Sequence, residues 1–150
     1  MAAEELIEWI RREHAVVQDL SNQLRQSIAV IPRSPSPEWL NTIRNGFEKF
    51  RAHMIQHIAL ARSQGYLAAV LEHRPTMSGE VDNLRRGHDQ IMRLMDGIHR
   101  DLLEVQTEDL MMLREYCGRI ERVLAEVDHH EERENNLVTY TFFQDIGGMG

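Results

Sequence analysis

Apolar residues return at three- and four-residue steps over four long stretches of the chain. Leu6, Ile10, Val17, Leu20, Leu24 and Ile28 mark the first and predict a helix over about 3–28. His14 falls on the same stripe, four after Ile10 and three before Val17. The run Ile31-Pro32-Arg33-Ser34-Pro35-Ser36-Pro37 then breaks the pattern with three prolines, which no continuous helix accommodates. Ser36 reads as the N-cap of a second helix and Pro37 as its first turn. Leu40, Ile43, Phe47, Phe50, Met54, His57, Leu60 and Ala61 carry that helix, and Tyr66-Leu67-Ala68-Ala69-Val70-Leu71 extends it through Gly65 to about Glu72. A third helix is expected from Ser78 to about Val105, on Val81, Leu84, His88, Ile91, Met92, Met95, Ile98 and Leu102. Thr107-Glu108-Asp109 looks like a capped restart. The fourth helix follows on Leu110, Leu113, Ile120, Val123, Leu124, Val127, His130, Glu134 and Leu137 to about Phe143, with Gly147-Gly148-Met149-Gly150 as a frayed end. Four amphipathic helices with short links predict an all-α fold: an up-down-up-down antiparallel four-helix bundle, one domain over 1–150.

Composition narrows the partners. A chain of 150 residues suffices for one core, and 6% aromatic content with few prolines favours helices over a sandwich or barrel. The net charge of −7, without a basic block, argues against nucleic acid. One cysteine, Cys117, excludes an internal disulfide and fits a reducing compartment. No long apolar run marks a membrane span and no basic-then-apolar start marks export, so the expected location is the cytoplasm. No nucleotide, flavin or nicotinamide motif is present, and no Ser/His/Asp grouping suggests hydrolysis.

Eight histidines stand out. His130 and Glu134 are four apart, so one helix can deliver an imidazole and a carboxylate to a single metal site. That spacing alone is common on solvated helices, and a lone histidine on an apolar stripe is more often a core residue than a ligand. The other helices add weight. His14 precedes His57 by 43 residues and His88 precedes His130 by 42, as though two halves of the chain were copies related by a pseudo-twofold axis. At ~1.5 Å per residue, the four histidines fall near one depth of the bundle. The repeat is incomplete, because the counterpart of Glu134, four after His57, is Ala61. His53, one turn before His57, is a further candidate ligand.

One helical histidine, then His-x-x-x-Glu, then another helical histidine and a second His-x-x-x-Glu is a pattern that resembles the hemerythrin-like, HHE cation-binding family. The resemblance covers nearly the whole chain. It is carried by the stretch from His57 to Leu67, by Leu84-Arg85-Arg86-Gly87-His88, by His130-Glu131-Glu132-Arg133-Glu134-Asn135, and by Asp145-Ile146-Gly147 near the C-terminus. It implies two non-haem irons bridged by carboxylates, with His14 and His57 on one, His88 and His130 on the other, and Glu134 between them. The second bridge would fall at Ala61, where this sequence departs from the pattern. Four histidines with one carboxylate also suit a single iron, zinc or partial occupancy.

The resemblance implies binding or sensing of dioxygen, nitric oxide or iron. Two other classes are open: an enzyme using a vacant iron position, such as a peroxidase or nitric oxide reductase, and a metal-free helical scaffold. Ala61→Glu is expected to strengthen iron retention and any bridged-iron absorption. Unchanged iron content and spectrum in that variant would contradict the placement.

Overall fold

The computed structural model describes residues 3–63 and 65–148, with the side chains of 63 and 144–148 outside the description. The chain is all-helical: α1 (Ala3–Ile28), α2 (Pro37–Ser63), α3 (Tyr66–His73), a single 3-10 turn (Pro75–Met77), α4 (Ser78–Glu104) and α5 (Leu110–Gly148). Among the described residues no helix is long and apolar enough to cross a membrane.

Sequence periodicity becomes burial almost position by position. α1 buries Leu6, Ile10, His14, Val17, Ser21, Leu24 and Ile28, and α4 buries Val81, Leu84, His88, Ile91, Met95, Ile98 and Leu102. These steps of three and four keep one side chain per turn on the inner face. Leu20 and Met92 only flank the core, being partly buried against it. The Ser36 hydroxyl accepts from the Trp39 amide at 3.1 Å, the N-cap geometry expected at that start.

Two differences from the sequence expectation have physical causes. The second helix does not pass through Gly65; α2 stops at Ser63 and α3 starts at Tyr66. At Gly65 the backbone is extended, with φ −102° and ψ −171°. A Cβ there would stand 2.3 Å from the Ala61 carbonyl oxygen, so the bend brings the backbone where only glycine fits. The break turns Tyr66 and Leu67 fully into the interior. The last helix also runs on to Gly148 rather than ending near Phe143. Met149 and Gly150, and the side chains of Asp145-Ile146-Gly147, lie outside the described residues.

The long helices form a closed ring of neighbours, α1 on α2, α2 on α4, α4 on α5 and α5 on α1. Partners along each seam run in opposite order. Trp9 stacks on His57 while Glu13 meets His53 on the α1–α2 seam. Arg133 pairs with Glu80 while Arg119 pairs with Asp101 on the α4–α5 seam. Between α2 and α4, Arg44 donates to the Leu102 and Val105 carbonyls at 2.6 and 2.8 Å, closing the C-terminal end of α4, and Arg51 pairs with Asp96.

The apolar interior is divided. One cluster holds Val17, Phe47, Phe50, Met54, Ile91, Met95, Ile120, Val123 and their neighbours. A second holds Leu6, Ile10, Ala61, Tyr66, Leu67, Val81, Leu84, Leu137 and Phe142, and a small third one gathers Leu40, Val105 and Leu113. On every long helix a buried histidine stands at the boundary: His14 between Ile10 and Val17, His57 between Met54 and Ala61, His88 between Leu84 and Ile91, His130 between Val127 and Leu137.

Glycine substitutions separate the bend from ordinary helix. Gly65→Ala is expected to destabilise the fold by about 1–3 kcal/mol, since neighbours must shift. Gly118→Ala, in the interior of α5 with open space around the added Cβ, is expected to stabilise by about 0.5–1 kcal/mol. Urea unfolding of the two variants checks the opposite signs.

Candidate metal centre

The five side chains of the polar layer are all enclosed: His14 is 8% exposed, His130 5%, and His57, His88 and Glu134 no more than 1%. Glu134 lies at their centre. Its Oε2 stands 3.4 Å from His14 Nε2 and 3.5 Å from His57 Nε2. Its Oε1 stands 2.7 Å from His130 Nδ1 and 3.7 Å from His88 Nε2. One carboxylate thus presents one oxygen to each pair of imidazoles. Two three-residue groups result, His14-His57-Glu134 and His88-His130-Glu134, in each of which the donor atoms lie within 4.8 Å of one another.

Neighbours on other helices explain the aim of two of the rings. The His130 Nε2–H donates to the Leu84 carbonyl at 3.0 Å, which fixes the ring so that Nδ1 faces Glu134. Gly87 makes this approach possible: a Cβ there would stand 2.8 Å from His130 Cδ2. His57 is stacked on Trp9, with planes 2° apart and centroids 5.9 Å apart. Behind it, Glu13 lies 3.9 Å from His57 Nδ1 and 2.9 Å from His53 Nε2.

Of the six residues expected from sequence, the structure brings His14, His57, His88, His130 and Glu134 together. His53 instead faces Glu13 and belongs to neither group. Ala61 is fully buried, but its position is no empty socket: it lies in the apolar cluster with Ile10, Tyr66 and Leu67. Sequence reasoning missed Glu131, the residue after His130. It is 5% exposed; its Oε1 accepts from Gln18 Nε2 at 3.2 Å, and its Oε2 stands 3.7 Å from His14 Nε2. It also missed Glu13 and Trp9. Tyr66 is wholly buried, with its hydroxyl unpartnered.

Electrostatics follow from this enclosure. Burial alone would push Glu134 up, but contacts with His130, His14, His57 and His88 outweigh it and hold the carboxyl well below its ordinary range. Burial lowers His57, yet the Glu134 carboxylate more than compensates and raises it. At His88 burial prevails and the ring is lowered. Burial and the charge on Glu134 push the Tyr66 phenol well up. Burial raises Glu131 to about 7, despite opposing help from His14 and Gln18.

The donor set suits a first-row transition cation. Neutral imidazole and carboxylate are ordinary ligands of iron and zinc. Most of the buried side-chain polar atoms without a hydrogen-bond partner among the described residues belong to this site: His14 Nδ1, both nitrogens of His57 and of His88, the Tyr66 hydroxyl and Glu131 Oε2. Orphaned donors and acceptors are costly in an interior, and a cation would satisfy several of these together.

A ring of four long helices around a buried four-histidine, one-glutamate layer defines the class, a helical protein with a candidate interior metal centre. The chain belongs to the hemerythrin HHE cation binding domain family, which matches residues 5–142. No curated protein and no solved structure matches it.

Glu131 generates a pH prediction for the metal-free protein. Its folded value, about 7, lies above its ordinary 4.5, so ionisation opposes folding. That penalty is absent below about pH 4.5, grows between 4.5 and 7 and is complete above. At ~1.4 kcal/mol per unit it reaches about 3 kcal/mol at most. Glu131→Gln is therefore expected to raise the apo-protein Tm at pH 8 and to leave it unchanged near pH 4.5. Thermal unfolding across that range checks the divergence.

Proposed function

We propose that this chain is a non-haem iron protein with two metal positions, one held by His14 and His57 and one by His88 and His130, with Glu134 shared between them. We read its role as binding or sensing dioxygen, nitric oxide or iron itself. The observation that carries this reading is the Glu134 carboxylate, one oxygen of which faces each histidine pair. Two cations a few ångströms apart repel, and a shared carboxylate neutralises and spaces them. When bound, the metals supply an open coordination position and redox capacity; this chain's residues hold, orient and enclose them.

Access supports a diatomic ligand. The most exposed member of the layer, His14, also lines a cleft of about 320 Å³ between α1 and α5, whose walls are apolar at Ile7, Ile10, Val138 and Phe143 and polar at Arg11, Asn135 and Thr139. The opposite sequence order of partners along the helix seams supports an up-down-up-down antiparallel arrangement, here read as a single domain. The net charge of −7 and lone cysteine support a cytoplasmic protein without a nucleic-acid partner.

Metal analysis of protein purified without chelators tests the reading, with two irons per chain expected. Glu134→Gln is expected to weaken retention at both positions by about 10–100-fold or more. Dioxygen or nitric oxide should change the visible spectrum reversibly. Sustained turnover of peroxide or nitric oxide would reassign the centre to an enzyme, and a wild-type protein without stoichiometric metal would contradict the reading outright.

A further inference from the structure

We propose that Glu131 is a ligand of the metal held by His14 and His57, and that it supplies there the negative charge absent at Ala61. This inference rests on the two-position reading above. Glu131 sits one turn before Glu134 on α5, on the side facing α1, where the Gln18 amide holds its Oε1 at 3.2 Å. Oε2 is buried without a hydrogen-bond partner. His14 Nε2 lies between two carboxylates, 3.7 Å from Glu131 Oε2 and 3.4 Å from Glu134 Oε2. Ligands about 2.0–2.2 Å from a common first-row cation stand roughly 3–3.6 Å from one another at tetrahedral or octahedral angles. Both separations are close to that range; Glu131, like His53, lies outside the two three-residue groups, so its carboxylate must turn inward from its place beside His14 to bind the cation.

Charge points the same way. Two neutral imidazoles and one oxygen of a shared carboxylate leave a divalent or trivalent cation under-neutralised. Glu13 does not make good the deficit, because it stands behind His57, against its Nδ1 and His53. Glu131 and Glu134 are themselves like charges on one turn of helix, enclosed in a layer almost without solvent. A cation between them and His14 resolves both the repulsion and the orphaned oxygen. Ala61 then leaves the centre with a different carboxylate rather than with one fewer. The two positions become unequal, since no corresponding extra carboxylate borders His88 and His130 among the described residues.

Glu131→Gln tests this, because it removes the charge while keeping an oxygen that can accept from Gln18. Full-length wild-type and variant proteins are loaded with ⁵⁷Fe(II), and iron stoichiometry, stepwise affinity and Mössbauer spectra are compared. The wild type should hold two inequivalent irons. The variant should keep one at close to wild-type affinity, hold the other more than about 100-fold more weakly, and change chiefly that iron's Mössbauer signal; a loss of only about 10–100-fold is what removal of a partner outside the coordination sphere costs, and it overturns the assignment. Two irons retained with unchanged affinity and spectra overturn the assignment, and so does an equal loss of both. A wild-type protein that takes up no stoichiometric iron overturns the parent reading as well, which separates that failure from a failure at Glu131 alone.

Discussion

The interior depends on one carboxylate shared by four imidazoles. Glu134 is 1% exposed, and an ion so enclosed costs several kcal/mol unless it is paired. Each long helix contributes one histidine to that pairing, so no helix can rotate or slide without uncovering the charge. The same requirement explains the division of the core. Aliphatic and aromatic side chains fill the bundle on either side, and the polar layer crosses it at one depth. The layer fixes register between helices, and the apolar clusters exclude the water that would otherwise solvate it.

The surrounding structure shows how firmly the layer is held. His130 is oriented by the Leu84 carbonyl and admitted by the missing side chain at Gly87. His57 is braced by the Trp9 indole. His14 meets two carboxylates from α5, one of them tied back to its own helix through Gln18. In the metal-free protein these groups must balance one another, which is why His57 is raised and Glu134 lowered. A cation would take over the role of those protons, so metal binding and the protonation of the layer are coupled.

Much of this was legible in the sequence because the helices are long and regular. A repeat of three and four residues fixes the buried face, and His14, His57, His88 and His130 lie on those faces; the family resemblance gave Glu134 its shared position. What escaped depends on contacts distant in sequence. Glu131 carries no signal of its own in the helical pattern, and contacts with Gln18, 113 positions earlier, and with His14 make its inward placement evident. His53 shares a stripe with His57, but Glu13 on α1 engages it. Gly65 reads as a weak point within a continuous helix, whereas its closeness to the Ala61 backbone makes it the end of one helix and the hinge to another.

Ala61 illustrates the limit of reading a motif by position. The methyl group marks a departure from the paired His-x-x-x-Glu pattern, yet the space around it is occupied by apolar side chains, and the buried acidic group lies on another helix. Charge in a bundle core is set by the layer as a whole. The most direct test of that view is an anomalous difference map at the iron edge from crystals of the iron-loaded protein. Two peaks flanking the Glu134 carboxylate, one beside each histidine pair, are predicted; peaks elsewhere, or none within the layer, would contradict the account.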